Sequence, residues 1–324
     1  MAKPFFPWMG NKEKLVPYIH QLIPPHVKQF TEAFGGSGAV ILGLQPKKGR
    51  LDIYNDLNDD LFNVFCCVKE KSFSLAKELK FLPVHGRTPF AFYRDMAAHE
   101  PDFYRHIEEE KRVVAESTCF TEEEIRELLS ILDGNAKLFD VRRAAAFLFT
   151  TYGSFSGTGN SVGIKTVDPQ AIVDKLPQVS RRLDSIFLEH QDALVLIPKE
   201  DRPDGIIYAD PPYMLTEKVY DVRFLPEHHI ILHDRARSCK GYVIISYGYD
   251  DRIIDLYKDD FFIISLKRTN PLSQTEGSTF RELIITNYDP SPYLNKQLDI
   301  FGQASDAMWE PVILNRPHRI LKVD

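Results

Sequence analysis

Gly205–Ala209, a short apolar run, leads directly into Asp210-Pro211-Pro212-Tyr213. Proline has no backbone N–H and cannot continue a central strand, so a strand over Gly205–Ala209 must end at Ala209. In an open α/β sheet, ligands bind beyond the carboxyl ends of the strands, and the break places Asp210 and Tyr213 there on a stiff turn. A carboxylate and a neighbouring backbone carbonyl can each accept one proton of a planar amine. The Tyr213 ring supplies a face on which a base can stack.

Other stretches extend this into a fold. Residues 29–33 read as a strand entering Phe34-Gly35-Gly36-Ser37-Gly38, followed by a helix over Ala39 to Leu44 and a strand over Arg50 to Tyr54. Further strands are expected at Ser185–Leu188, Tyr242–Ser246, Phe262–Leu266 and Leu283–Thr286, spaced widely enough for crossover helices. Alternating strands and helices imply an α/β class, a doubly wound and mostly parallel Rossmann-like sheet. Between the strand-rich blocks, helical periodicity covers Phe103–Val114, Glu122–Leu132 and Val141–Phe149, and a Gly/Ser-rich loop runs from Tyr152 to Asn160. The expected organisation is one domain built from residues 1–69 and 183–289, an inserted, mainly helical domain over 70–182, and a tail over 290–324.

The glycines of Phe34 to Gly38 let the backbone turn sharply and approach a ligand without Cβ obstruction. Such turns serve nucleotides, flavins and S-adenosylmethionine alike, and some serve only the turn. Asp56, at the end of the second strand, stands where nucleotide-binding folds place an acid on ribose hydroxyls. Its competing role is to cap the helix that starts in Asp56-Leu57-Asn58-Asp59-Asp60.

The net charge of −6 weighs mildly against a nucleic-acid partner. Local basic pairs at Lys47-Lys48, Arg142-Arg143, Arg181-Arg182 and Lys267-Arg268 weigh the other way; any single one reads as a solvated face, and the set as a whole reads equally well either way. Cys66, Cys67, Cys119 and Cys239 contain no C-x-x-C pair and are expected to be reduced. The chain carries no membrane-length apolar run and no signal-like start, so a cytoplasmic location is expected. His229 and His233 have the four-residue spacing of helical zinc ligands, with His228 beside them. The glutamate that H-E-x-x-H needs after His229 is missing, so they are expected to be exposed helix residues, and no metal is expected.

Taken together, these segments resemble the Dam-type (DPPY) adenine-N6 DNA methyltransferases. Phe5-Phe6-Pro7-Trp8-Met9-Gly10-Asn11-Lys12 is similar to the family's W-x-G-x-K motif, Glu32 to Gly38 to its E-P-F-x-G-x-G motif, and Asp210 to Tyr213 to its catalytic D-P-P-Y. Arg281 to Tyr288 resembles its closing strand. Ala33 replaces a usual proline and Asn11 a common glycine. The resemblance implies an S-adenosylmethionine cofactor held by Trp8, Lys12, Phe34, Gly36, Gly38, Asp56, Asp192 and Asp210. It also implies catalysis by Asp210, Pro211, Pro212 and Tyr213 on a base flipped out of double-stranded DNA. The insert, including the loop Thr151 to Lys165, is expected to grip DNA and read its sequence. N4 of cytosine, an RNA adenine, or a non-catalytic cofactor-binding or DNA-binding module remain alternatives at this point. Gln297-Leu298-Asp299-Ile300-Phe301 resembles the short peptide that bacterial replication proteins insert into the sliding clamp, the alternative being a segment packed back on its own domain.

Overall fold

A computed structural model describes residues 2–8, 10–81, 100–137, 140–154, 168–213, 224–269, 279–294 and 310–317. In chain order its elements are α1 (Val16–Gln21), β1 (Gln29–Glu32), α2 (Ala39–Gly43), β2 (Leu51–Asn55), α3 (Asp59–Glu70), α4 (Ser72–Phe81), α5 (Glu100–Ala115), α6 (Glu122–Lys137) and α7 (Val141–Gly153). They continue with α8 (Pro169–Val173), α9 (Leu176–Leu183), β3 (Ile186–Glu189), α10 (Ala193–Glu200), β4 (Gly205–Ala209), α11 (Pro226–Ser238), β5 (Tyr242–Gly248), α12 (Asp251–Tyr257), β6 (Phe262–Thr269), β7 (Thr279–Thr286), α13 (Ser291–Leu294) and β8 (Glu310–Asn315). The clamp-like segment Gln297–Phe301 and most of the loop Thr151 to Lys165 lie outside the described residues. No described helix is long and apolar enough to cross a membrane. All four cysteines are unpaired.

The chain divides into two compact units, Met1–Asn11 with Asn58–Leu188, and Lys12–Leu57 with Glu189–Asp324. The strands form one sheet in the order β3-β2-β1-β4-β5-β7-β6-β8. β2, β1, β4 and β5 run parallel, and β7 lies antiparallel between β5 and β6. This is the mostly parallel α/β sheet the sequence implies. Register matters most in its centre, where Glu32 of β1 stands level with Tyr54 of β2 and Tyr208 of β4. The segments that leave these three strands therefore start side by side at one edge. Beneath them, Ile207, Ala209, Val243, Ile245, Leu283 and Ile285 enter one buried apolar cluster with Leu196 and Leu232. Burying each of the valine, leucine and isoleucine side chains among them stabilises the fold by about 1.5–3 kcal/mol relative to leaving it in water.

Among the described strands, β8 is the one for which the sequence reading has no counterpart. It pairs antiparallel with β6, Leu266 opposite Pro311, and its Val312 and Leu314 stay exposed. A strand with proline and no buried apolar face carries little periodic signal, and an edge position is where proline is tolerated.

The histidines of α11 are also placed differently from expectation. His229 is fully buried and His233 nearly so. His229 Nδ1 lies 2.8 Å from the Tyr247 hydroxyl, and its ring stands edge-on to Phe224. The four-residue spacing reflects the core-facing side of a helix, and among the described residues no group of His, Cys, Asp and Glu is arranged to hold a metal. Burial is the main cause that lowers the His229 pKa to about 4, with His228 and Arg252 adding to it and Asp250 opposing. The unfolded imidazole accepts a proton near its ordinary pKa of 6.5, so the unfolded state binds protons first as pH falls. Stability from this group is present above pH 6.5 and is lost between 6.5 and 4, by about 3 kcal/mol in all. Urea unfolding across that window should lose this much more stability for the parent than for His229→Gln. Equal slopes would place the proton uptake on other groups.

In the unit of Met1–Asn11 and Asn58–Leu188, α3 packs on α4, α7 and α9, and α5 pairs with α6. α5, α6 and α7 extend the three helices expected from periodicity, α7 continuing to Gly153 into the stretch read as loop. Buried Asn63 of α3 donates to the Asp140 carbonyl and accepts the Asp140 N–H, each at 2.9 Å. Asp140 in turn caps α7 by accepting from the N–H groups of Arg142 and Arg143. The N-terminal aromatics join here, with Phe5 edge-on to Phe65 and Trp8 at 5.8 Å from Phe147.

Two basic pairs are divided between solvent and structure. Arg182 is buried and donates to Ser185 Oγ at 2.8 Å, whereas Arg181 is exposed. Arg143 lies 3.6 Å from Asp60 and is largely covered, whereas Arg142 is open. One member of each pair serves the fold.

Candidate active site

The Gly-rich turn after β1 lies flat on an aromatic ring. A Cβ on Gly35 would fall 2.2 Å from Tyr54 Cε2, so no other residue fits without displacing that ring. The Tyr54 hydroxyl donates to the Gly36 carbonyl at 2.8 Å. Gly36 and Gly38 have φ of 50° and 66°, left-handed values that glycine adopts at little cost, and Gly38 starts α2. Glu32 is buried at the end of β1 and accepts the Ile41 N–H at 2.9 Å, fastening α2 to the strand. Burial pushes its carboxyl well above the usual range, against the lowering effect of that N–H.

Asp56 is held close to this turn. Its Oδ2 accepts the Gly36 N–H at 2.7 Å, while the cap of α3 comes from Asn58, whose side chain accepts from Leu61 N–H. The competing role of Asp56 as a helix cap is therefore filled by another residue. Asn55, fully buried, aligns the neighbourhood. Its Nδ2 donates to the carbonyls of Ala33 and Gln191, and its Oδ1 accepts the Gln191 N–H. Three strand ends are thereby tied at one amide. Asp192 follows directly and caps α10 by accepting the Leu194 N–H at 2.8 Å.

Beyond β4 the prolines turn the chain as expected, and Asp210 is fixed from two sides. Lys12 Nζ lies 2.8 Å from Asp210 Oδ2, the two side chains being only 7% and 18% exposed. Ser246 Oγ of β5 donates to Asp210 Oδ1 at 2.9 Å and is itself 2.8 Å from the Tyr208 hydroxyl. Burial raises the Asp210 pKa, while the Lys12 charge, the Lys12 hydrogen bond and the Ser246 hydrogen bond oppose the rise. Tyr213 stands over the same lysine, with Nζ 4.9 Å from the ring centroid, and its hydroxyl donates to Glu282 Oε2 at 2.9 Å.

Of the residues expected from the sequence, Lys12 reaches both Asp210 and Tyr213, and Gly36 and Asp56 are bonded to each other. Phe34 packs edge-on against Phe224 at 5.5 Å. Trp8 belongs to the other unit, in the aromatic cluster described above. Ser246, Tyr208, Asn55 and Glu282 were not anticipated. A signal existed for Ser246, a hydroxyl interrupting the apolar run Tyr242–Ile245.

A largely covered carboxylate, a proline-stiffened carbonyl and an aromatic face at the carboxyl edge of parallel strands can together accept the protons of a planar amine and offer its ring a surface. The chain belongs to the D12 class N6 adenine-specific DNA methyltransferases, whose family model matches residues 8–271. It is a site-specific, adenine-specific DNA methyltransferase, and the methyl donor is S-adenosylmethionine. Among curated relatives, the type II methyltransferase M1.LlaDCHI of Lactococcus lactis subsp. cremoris is 26% identical over 309 residues, covering 88% of this chain and 95% of that one. The type II methyltransferase M.MjaIII of Methanocaldococcus jannaschii is 23% identical over 318 residues, covering 89% and 99%. A solved structure, protein LPL1258 of Legionella pneumophila, covers 84% of this chain and is itself covered to 80%, at 12% identity; its TM-score of 0.27 is too low to bear on fold or function.

Proposed function

We propose that the chain methylates N6 of an adenine flipped out of double-stranded DNA, with Asp210, Pro211, Pro212 and Tyr213 as the reacting site. The observation that carries this reading is the geometry of Asp210, an ion-paired and hydrogen-bonded carboxylate at the end of β4 whose partner Lys12 also stands over the Tyr213 ring. Asp210 and the Pro211 carbonyl each accept one amino hydrogen, which turns the nitrogen lone pair out of conjugation with the ring. Tyr213 stacks on the base and holds it in line for transfer. A stacked adenine inside a duplex cannot present its amine in this way, so the base must leave the helix.

The donor set suits S-adenosylmethionine. Asp56 offers a carboxylate for ribose hydroxyls, Gly36 and Gly38 open the turn, Lys12 carries a cation for a carboxylate, and Phe34 and Asp192, just beyond the ends of β1 and β3, would meet the adenine. When bound, the cofactor supplies an electrophilic methyl group. The helical unit, whose side takes in the expected inserted domain over 70–182, reads the DNA sequence, with its exposed Arg142 and Arg181 meeting phosphates.

Incubation with duplex DNA and labelled cofactor, followed by nucleoside analysis, tests the reading. Label in N6-methyladenine supports it, and label in N4-methylcytosine or only in RNA overturns it. For the cofactor, Asp56→Ala should weaken S-adenosylmethionine binding by about 1.5–3 kcal/mol, because ribose hydroxyls lose a charged acceptor. Calorimetry measures this directly, and an unchanged Kd would reduce Asp56 to a brace for the Gly36 N–H.

A further inference from the structure

Tyr213 is held on more sides than a stacking platform requires. Its hydroxyl is bonded to Glu282 Oε2 at 2.9 Å. Its ring edge rests over Gly248, where a Cβ would lie 2.9 Å from both Cδ2 and Cε2. Gly248 and Glu282 are register partners on β5 and β7, so the seat for the ring and the acceptor for the hydroxyl are set by one pair of backbone ladders. Lys12 stands 4.9 Å from the ring centroid on the same site, and Tyr247 stands 6.0 Å from the ring. Phenylalanine would offer a similar stacking face, so stacking alone does not account for the hydroxyl.

We infer that Glu282 is a positioning residue for the methyl transfer: it fixes the Tyr213 ring plane through the hydroxyl bond, before the base arrives. The inference rests on the proposed role of Tyr213 as the surface that receives the adenine. A tyrosine free to rotate would have to lose that freedom as each base docks, and a ring already fixed does not. Burial holds the Tyr213 phenol far above its ordinary pKa, followed by the charges of Asp210 and Glu282, so the hydroxyl keeps its proton and donates. Glu282 never needs to touch the substrate in this arrangement. Its effect on the ring plane passes through the hydrogen bond to the Tyr213 hydroxyl.

A double-mutant cycle on the full-length protein reads this out. Glu282→Ala and Tyr213→Phe should each lower kcat on a short duplex by about tenfold, with little change in KM for S-adenosylmethionine, and the double variant should be no slower than either single one. Glu282→Gln, which keeps an oxygen acceptor, should recover most of the loss. Gly248→Ala should lower kcat with Glu282 intact, because its Cβ displaces the ring. Multiplicative losses in the double variant, or a Tyr213→Phe enzyme as fast as the parent, overturn the inference. If Glu282→Ala does not fold, Tyr213→Phe and Glu282→Gln still decide the matter. Tyr213→Ala separates this from the underlying reading. A fast Tyr213→Ala enzyme removes the stacking role itself, whereas an inactive one beside an unimpaired Tyr213→Phe removes only the role of Glu282.

Discussion

Asp210→Asn should lower methyl transfer by about a thousandfold, the scale seen when a polar group aimed at the reacting atoms is lost. The substitution keeps the shape of the side chain and an oxygen for Ser246, so the loss reports on the charge. A second effect comes with it. Lys12 is almost wholly buried and has Asp210 as its ion-pair partner, so removing the carboxylate leaves a buried cation without that counter-ion. Breaking such a pair destabilises a fold by about 3–5 kcal/mol. The variant should therefore melt earlier as well as react slowly, and single-turnover rates measured well below its Tm separate the two. Turnover within tenfold of the parent would remove Asp210 from the reaction.

The companion substitution, Lys12→Met, has the opposite electrostatic sign. Burial already raises the Asp210 pKa, and Lys12 is the largest influence working against that rise. Without the ammonium the carboxyl goes higher still. In the proposed mechanism the ionised form accepts the amine proton, so activity should be present above the folded-state pKa and lost as pH falls through it. The acid limb of the rate profile should consequently move to higher pH, and kcat/KM near neutrality should fall by about a hundredfold. The variant's stability deficit should shrink toward low pH, where Asp210 becomes neutral and no longer needs a partner. A rate profile with an unmoved acid limb would mean that Lys12 does not set the ionisation of Asp210.

Much of this arrangement was legible in the amino-acid order because it rests on local rules. Two prolines after Gly205–Ala209 end a strand wherever they occur, and the glycines after β1 announce a turn whose backbone must go left-handed. Asp56 follows from its place at the next strand end. The parts that were not legible depend on tertiary register. Glu282 gains its meaning by standing opposite Gly248 across β5 and β7, a pairing that joins positions far apart in the chain. Asn55 reads as an ordinary polar residue until β1 and the segment after β3 come to lie on either side of it. His229 and His233 were expected to be exposed because polar side chains on a helix default to solvent; their four-residue spacing instead marks the core-facing side, where aromatic neighbours and the Tyr247 hydroxyl receive them. Arg182 and Arg143 misled in a related way, since a basic residue beside another on a helix points elsewhere and can be absorbed by the fold.

β8 changes what the far margin of the sheet presents to other molecules. Without Glu310–Asn315, β6 would expose an open ladder beside a run of apolar residues, a template for another chain to add to. With it, the outermost strand carries Pro311, which has no N–H to offer, and the β6 ladder beneath is interrupted between Ile263 and Ile264. A chain lacking Glu310–Asn315 could keep every group of the candidate site, which lies around the central strands β1, β4 and β5, and still be prone to fibrous self-association, so the margin of the sheet and its centre answer to different demands.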